Sequence, residues 1–259
     1  MSLPASNLNK QADNRTTMEL GACLPMTAEV KDDHLFIGGV DMVELAHEYG
    51  TALYVYDEAD LVNRMDTYRD AFRTRYPNSD IAYASKAFLN KAVCRLANKH
   101  GMCLDVSGGG ELAVARAVDF PMDRVIVHGN NKTPQELREA IEAGVGRIVV
   151  DSRIELSRVS AIAQEMGVTQ DIFMRITPGV EADTHEYIRT GCEDSKFGFT
   201  MREDFAFTCV RDALDAPMFA LQGFICILAL RFLLCILLVR RSMLLSNSLI
   251  VSRNLRLRD

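Results

Sequence analysis

Three features common in chains of this length are missing: paired cysteines, a basic surplus and an early apolar run. None of the seven cysteines (Cys23, Cys94, Cys103, Cys192, Cys209, Cys226, Cys235) forms a C-x-x-C pair, and their number is odd. Such scatter argues against a disulfide framework or a zinc site and suits reduced thiols in a cytoplasmic protein. The net charge of −6 argues against nucleic acid as the main partner, because phosphate binding needs a basic face. The first thirty residues hold no apolar stretch long enough for a signal-peptide core. Residues 1–33 are therefore expected to be a flexible lead-in. Acidic side chains also run out: 34 of the 35 lie in residues 1–224, and residues 225–259 hold only Asp259, with no lysine, six arginines and eleven leucines.

What is present is ordinary globular material, 48% hydrophobic and 25% charged. From Asp80 onward short β-type runs alternate with helical patterns. The runs are 81–84, 103–106, 125–127, 147–150, 172–176 and 219–224, and the helices between them include 91–100, 111–118, 134–143 and 154–166. Leu137, Ile141 and Val145 show the three-and-four spacing of a helix face. Thr133 before Pro134, with Glu136 at the third position, reads as a capping box, and Gly101, Gly144 and Gly167 sit at helix ends.

The first five strands start roughly 22–25 residues apart, one β/α unit per step, which implies a parallel sheet. Five or six consecutive units favour a (β/α)8 barrel over an open sheet. A doubly wound fold would carry a nucleotide-type glycine loop after its first strand, where this chain has Ser85-Lys86. A whole barrel needs about 250 residues, so units confined to residues 80–224 leave at least two missing. Residues 34–79 read as a leading strand (53–56) and helix (59–75), 80–224 as an incomplete barrel domain, and 225–259 as an aberrant tail.

The strand ends carry the chemistry. Lys86 follows Tyr83-Ala84-Ser85, which places its amine at the C-terminal mouth of the first barrel strand, where barrel enzymes keep their sites. A lysine half-buried at such a place can bond an aldehyde cofactor; a solvated surface lysine is the plainer reading. The next strand ends Asp105-Val106-Ser107-Gly108-Gly109-Gly110-Glu111. Its glycines can bring backbone N–H groups to an anion, or they can simply make a tight turn. They match neither the Walker nor the dinucleotide pattern. Asp105 and Arg175 stand at the last inward positions of their strands, where functional charge and structural ion pairing compete. His128 ends the third strand and reads equally as a loop residue or a cofactor contact. His185 and Glu186 lie in a polar loop, 181–195, that is a lid or an insertion. Four consecutive strands thus place polar residues on one rim.

Several of these segments together resemble the diaminopimelate decarboxylases. The resemblance rests on Gly50-Thr51-Ala52-Leu53-Tyr54-Val55-Tyr56-Asp57, Tyr83-Ala84-Ser85-Lys86-Ala87, Asp105 with Gly109-Gly110-Glu111-Leu112, and His128-Gly129-Asn130-Asn131-Lys132. It extends to Arg175-Ile176-Thr177-Pro178-Gly179-Val180, and is most specific in Thr184-His185-Glu186-Tyr187-Ile188 with Asp194-Ser195-Lys196-Phe197-Gly198. It covers roughly residues 34–224. It implies a partial (β/α)8 TIM-type barrel of the alanine racemase-like fold, lacking its last units and the C-terminal β-domain, in an enzyme that works as a homodimer. It implies pyridoxal 5′-phosphate bound through Lys86, with Asp105 near that lysine and Arg175 beneath the ring. It also implies meso-diaminopimelate as substrate, decarboxylated to L-lysine. Gly108 is a mild departure from the usual Ser-Gly-Gly-Glu turn.

The large departure follows Phe224, where the family continues with His-x-His-Ile-Gly-Ser-Gln and later supplies phosphate, pyridine-nitrogen and substrate contacts and a cysteine. One codon choice for Ile225 to Phe232 is ATT TGC ATA TTG GCT CTC AGA TTT. Adding one C in front gives His-Leu-His-Ile-Gly-Ser-Gln-Ile, so a single-base deletion after Phe224 explains both the lost motif and the lost acids. On this reading the chain itself is inactive. A non-catalytic cofactor-binding protein is one alternative. A membrane-anchored interaction protein is another, since residues 219–239 are mostly apolar and end at Arg240-Arg241. Against the anchor, Arg231 would sit mid-span at about 2.5–3.5 kcal/mol.

Overall fold

The computed structural model describes residues 23–177, 197–201, 204–228 and 233–238. The chain divides into two compact units, Met1–Ser79 and Asp80–Asp259.

In the first unit, β1 (Glu29–Lys31), β2 (His34–Ile37) and β3 (Val40–Asp41) form an antiparallel meander. β1 lies inside the stretch expected to be flexible. Both connections have two residues at positive φ, Asp32-Asp33 and then Gly38-Gly39, the backbone that matches strand twist in a tight hairpin. The Gly-Gly pair was the available sequence signal. Asp41 then caps helix Met42–Tyr49, accepting from the Val43 and Glu44 amides, and Asp57 caps helix Glu58–Arg75. The strand expected at 53–56 does not form. Those residues have strand-type side chains but are not in a sheet ladder, and Tyr54 is 93% exposed; β-propensity alone does not make a strand.

In the second unit, β4 (Ala82–Ala84), β5 (Cys103–Val106), β6 (Val125–Val127), β7 (Arg147–Val150), β8 (Gln170–Thr177) and β10 (Phe219–Leu228) form a parallel sheet in chain order. A short strand, β9 (Phe199–Thr200), pairs with the end of β8 off the main path. A doubly wound sheet would reverse its strand order at a switch point. This one never reverses, so it is an arc of a (β/α)8 barrel, as expected. Helices Lys91–Lys99, Gly109–Arg116, Pro134–Glu142, Arg153–Met166 and Phe205–Asp215 provide the crossovers. The Thr133/Glu136 capping box is present with Pro134 in the first turn, and Gly167 closes its helix in the left-handed conformation.

Both sheet faces are apolar, as a parallel sheet requires. Leu104, Val106, Val125, Ile148, Val150, Ile172 and Met174 are fully buried on one face, and Ile126, Val149, Phe173 and Ile225 cluster with Ala82 on the other. Each such aliphatic side chain contributes about 1.5–3 kcal/mol on burial. β10 does not stop at Phe224. It runs to Leu228 and pairs antiparallel with β11 (Leu233–Leu238), which takes the sheet edge. The described part of 219–239 is thus two strands, and no helix among the described residues is long and apolar enough to cross a membrane.

Candidate functional site

Strand alternation decides which polar groups share the inner face. Side chains two apart on a strand point the same way. His128 lies two beyond Ile126, Asp151 two beyond Val149 and Arg175 two beyond Phe173, all inner-face cluster members. Asp105 pairs in register with Ile126 and with Ala84. Asp105, His128, Asp151 and Arg175 therefore stand at the C-terminal ends of four adjacent strands on one face. Lys86 follows at the end of β4, in a short 3-10 turn, Ser85–Ala87.

Lys86 is exposed, not half-buried as expected. Its strand is the sheet edge opposite β11, so among the described residues no further strand flanks it. The turn that carries it is nevertheless pinned. The Ser85 hydroxyl is buried, 2.5 Å from the Asp105 carbonyl and 2.8 Å from Glu111 Oε2. The same Glu111 oxygen accepts from the Ser107 amide, tying the ends of β4 and β5 together.

The glycine turn resolves toward its structural reading. The Gly109 amide donates to Glu136 Oε1 at 3.2 Å, and Ser107 is taken by Glu111. Two amides that would face an anion at this helix start are already bonded to carboxylates. Thr133 and Gly109 bonds hold the Glu136 carboxyl below the ordinary glutamate range, its Thr133 backbone bond being the largest cause.

Asp105 and His128 form a pair, Oδ2 to Nδ1 at 3.1 Å. His128 is 8% exposed, and its other nitrogen, Nε2, is buried without a partner among the described residues. A buried polar atom left unpaired is uncommon in folded proteins. Gly129 follows at φ +105°, where a Cβ would meet the Ser107 carbonyl at 2.9 Å, so only glycine lets this loop pass the end of β5.

Arg175 belongs to a second, more enclosed network. Its Nη1 donates to Asp151 Oδ1 at 2.9 Å, and its guanidinium lies 4.4 Å from the centre of the Phe197 ring. Asp151 also accepts from the Gly198 amide. Gly198 has φ +72°, and a Cβ there would stand 2.7 Å from the Arg175 carbonyl. Beside this pair, Lys132 meets Glu155 at 2.6 Å and donates to the carbonyls of Gly129 and Val149. Burial pushes the Glu155 carboxyl up, while Lys132 pulls it down. Two cations and two anions are thus enclosed with no net charge, which limits their desolvation cost.

Of the site residues expected from sequence, Asp105 and Arg175 lie on the same inner rim, and Lys86 stands at the adjoining strand end. Asp151 and Glu155 were missed. Asp151 follows β7 directly, so the strand-end rule that picked Asp105 and Arg175 should have picked it too. Glu155, the third residue after Ser152, was visible only as a helix-start carboxylate. Residues 178–196, including the His185 and Glu186 loop, lie outside the described residues.

Residues 58–223 match the family model described as the pyridoxal-binding domain of the pyridoxal-dependent decarboxylases. The chain is 46% identical over 193 residues to the diaminopimelate decarboxylase of Bacillus subtilis, covering 74% of this chain and 44% of that protein. It is 48% identical over 187 residues to the diaminopimelate decarboxylase of Mycobacterium bovis, covering 72% and 41%. Among solved structures, the diaminopimelate decarboxylase of M. jannaschii in complex with L-lysine superposes with a TM-score of 0.70 at 35% identity, over 78% of this chain and 47% of that one. The chain spans less than half the length of these relatives.

Proposed function

The chain belongs to the pyridoxal-dependent decarboxylases through their pyridoxal-binding domain, and on that premise we propose that Lys86 is the lysine that bonds pyridoxal 5′-phosphate. One observation carries this reading: Lys86 ends the first strand of a barrel arc whose next four strand ends bear Asp105, His128, Asp151 and Arg175 on one inner face.

The residues fit that cofactor in part. A primary amine stands accessible at the rim, and two strands along, the rim holds a buried ring nitrogen with no partner among the described residues. The phosphate is a different matter, because the Ser107 and Gly109 amides are already engaged. Its main anchors are therefore expected outside the described residues. When bound, the cofactor supplies the electron sink for decarboxylation. This chain's own residues orient it. Ser85 and Glu111 hold the Lys86 turn against β5, Asp105 holds His128, and Asp151 fixes the Arg175 guanidinium.

The substrate reading is meso-diaminopimelate, released as L-lysine, by a cytoplasmic homodimeric enzyme of which residues 80–224 form the barrel part and 34–79 the leading part. Its support is the name that the relatives above carry and the L-lysine bound in the M. jannaschii structure. The chain itself is proposed to be inactive, because residues 225–259 lack the His-x-His-Ile-Gly-Ser-Gln stretch with which the family continues; a non-catalytic cofactor-binding protein is the alternative. The membrane alternative needs one helix over 219–239, and the described residues there pair as strands.

The test is borohydride reduction after incubation with pyridoxal 5′-phosphate, followed by peptide mapping. A label on the Lys86 peptide, lost in Lys86→Ala, supports the reading. Label spread over surface lysines refutes it. Release of carbon dioxide from labelled diaminopimelate by the 259-residue chain would overturn the inactive part.

A further inference from the structure

We propose that His128 binds the cofactor directly, with Nε2 accepting a hydrogen bond from the ring portion and not from the phosphate. The inference rests on the cofactor reading above. Asp105 Oδ2 lies 3.1 Å from Nδ1. A carboxylate can only accept there, so Nδ1 carries the proton, and in the neutral imidazole Nε2 is then the bare acceptor. That atom is buried in a residue more than nine-tenths enclosed, with no partner among the described residues. It belongs to the inner rim, on the strand next but one to that of Lys86.

The chemistry of the missing partner follows from the acceptor. A phosphate dianion has no hydrogen to give, and the Asp105 carboxylate behind the ring repels it. A ring hydroxyl has the donor that Nε2 lacks. Asp105 is then a positioning residue that acts through His128 by setting its tautomer.

Nitrogen-15 NMR of the full 259-residue chain labelled at histidine, without and with pyridoxal 5′-phosphate, tests this directly. Lys86 trapping is scored on the same samples. The free chain should show a histidine with Nδ1 protonated and Nε2 bare that is lost in His128→Gln and is distinct from His34, whose Nδ1 also meets a carboxylate, that of Asp41. Pyridoxal 5′-phosphate and phosphate-free pyridoxal should both move that Nε2 resonance, and inorganic phosphate should leave it in place. In binding titrations His128→Phe, which has no acceptor, should weaken cofactor affinity about tenfold, and His128→Gln, which retains one, should lose less. Trapping at Lys86 with an unmoved Nε2 overturns the His128 role alone, as does a response to inorganic phosphate. No trapping at Lys86 overturns the cofactor reading and this inference with it. Because the wild-type resonance decides, a variant that fails to fold does not rescue the proposal.

Discussion

Replacing Lys132 by methionine should cost this fold a large part of its stability. The Lys132 ammonium is almost wholly enclosed and makes three contacts, to Glu155 at 2.6 Å and to the Gly129 and Val149 carbonyls at 2.6 and 2.7 Å. Methionine fills similar space but leaves the Glu155 carboxylate buried without its counterion. Removing one partner of a buried pair costs about 3–5 kcal/mol, and the two orphaned carbonyls can add to that. Against a typical domain stability of about 5–15 kcal/mol, much of the fold's margin disappears. The sign of the pH effect is fixed. Burial already raises the Glu155 carboxyl above its ordinary value, and Lys132 is the main influence lowering it. Without the lysine the carboxyl rises further, so the folded state binds a proton that the unfolded state has lost. Stability of Lys132→Met should therefore improve relative to wild type as pH falls toward the ordinary glutamate range, and the deficit should be full above the raised folded value. Urea unfolding followed by circular dichroism across pH, with Lys132→Met, Glu155→Leu and the double variant, closes a double-mutant cycle. The double variant should recover most of the loss. A single-variant cost below about 1 kcal/mol, or a double variant as unstable as Lys132→Met, would refute the claim that an uncompensated buried charge is what hurts.

Gly198→Ala forces a left-handed backbone and a Cβ 2.7 Å from the Arg175 carbonyl; a loss of about 1–3 kcal/mol is expected from the backbone conformation alone, and an unchanged unfolding midpoint would contradict the geometry. Acid should weaken the Thr133 capping box: the Glu136 carboxyl is held below its ordinary range, so its contribution is present above the unfolded-state value and is lost as pH falls through the lower folded one. Glu136→Gln should flatten that part of the pH–stability curve, and Thr133→Ala should cost about 1 kcal/mol at neutral pH. Resequencing codons 220–235 from an independent template should reveal an additional C after the Phe224 codon. The restored frame would put a histidine where Ile225 now stands in register with Arg175, and an unchanged reading would remove the frameshift explanation.

The sequence by itself determined the β/α rhythm of residues 80–224. Its signals there are local: strand-length apolar runs, a three-and-four helix face over Leu137 and Ile141, a Thr-Pro start and glycine stops. β5, β6 and β7 fell where expected because both faces of a parallel sheet must be apolar, which marks each strand in its own residues. Strand-end polarity likewise made Asp105 and Arg175 legible as members of one rim, and the motifs around Lys86 made the family legible. The strand expected at 53–56 failed for the opposite reason, since a strand needs a partner that its own residues do not name. Only the tertiary structure decided what each rim charge touches. It assigned Arg175 to Asp151 and Phe197, left one nitrogen of His128 without a partner among the described residues, and gave the glycine-turn amides to Glu111 and Glu136. Those partners lie up to 27 residues apart in the chain, and they meet because neighbouring strands in register bring their ends together. That proximity belongs to the sheet, and no single segment encodes it.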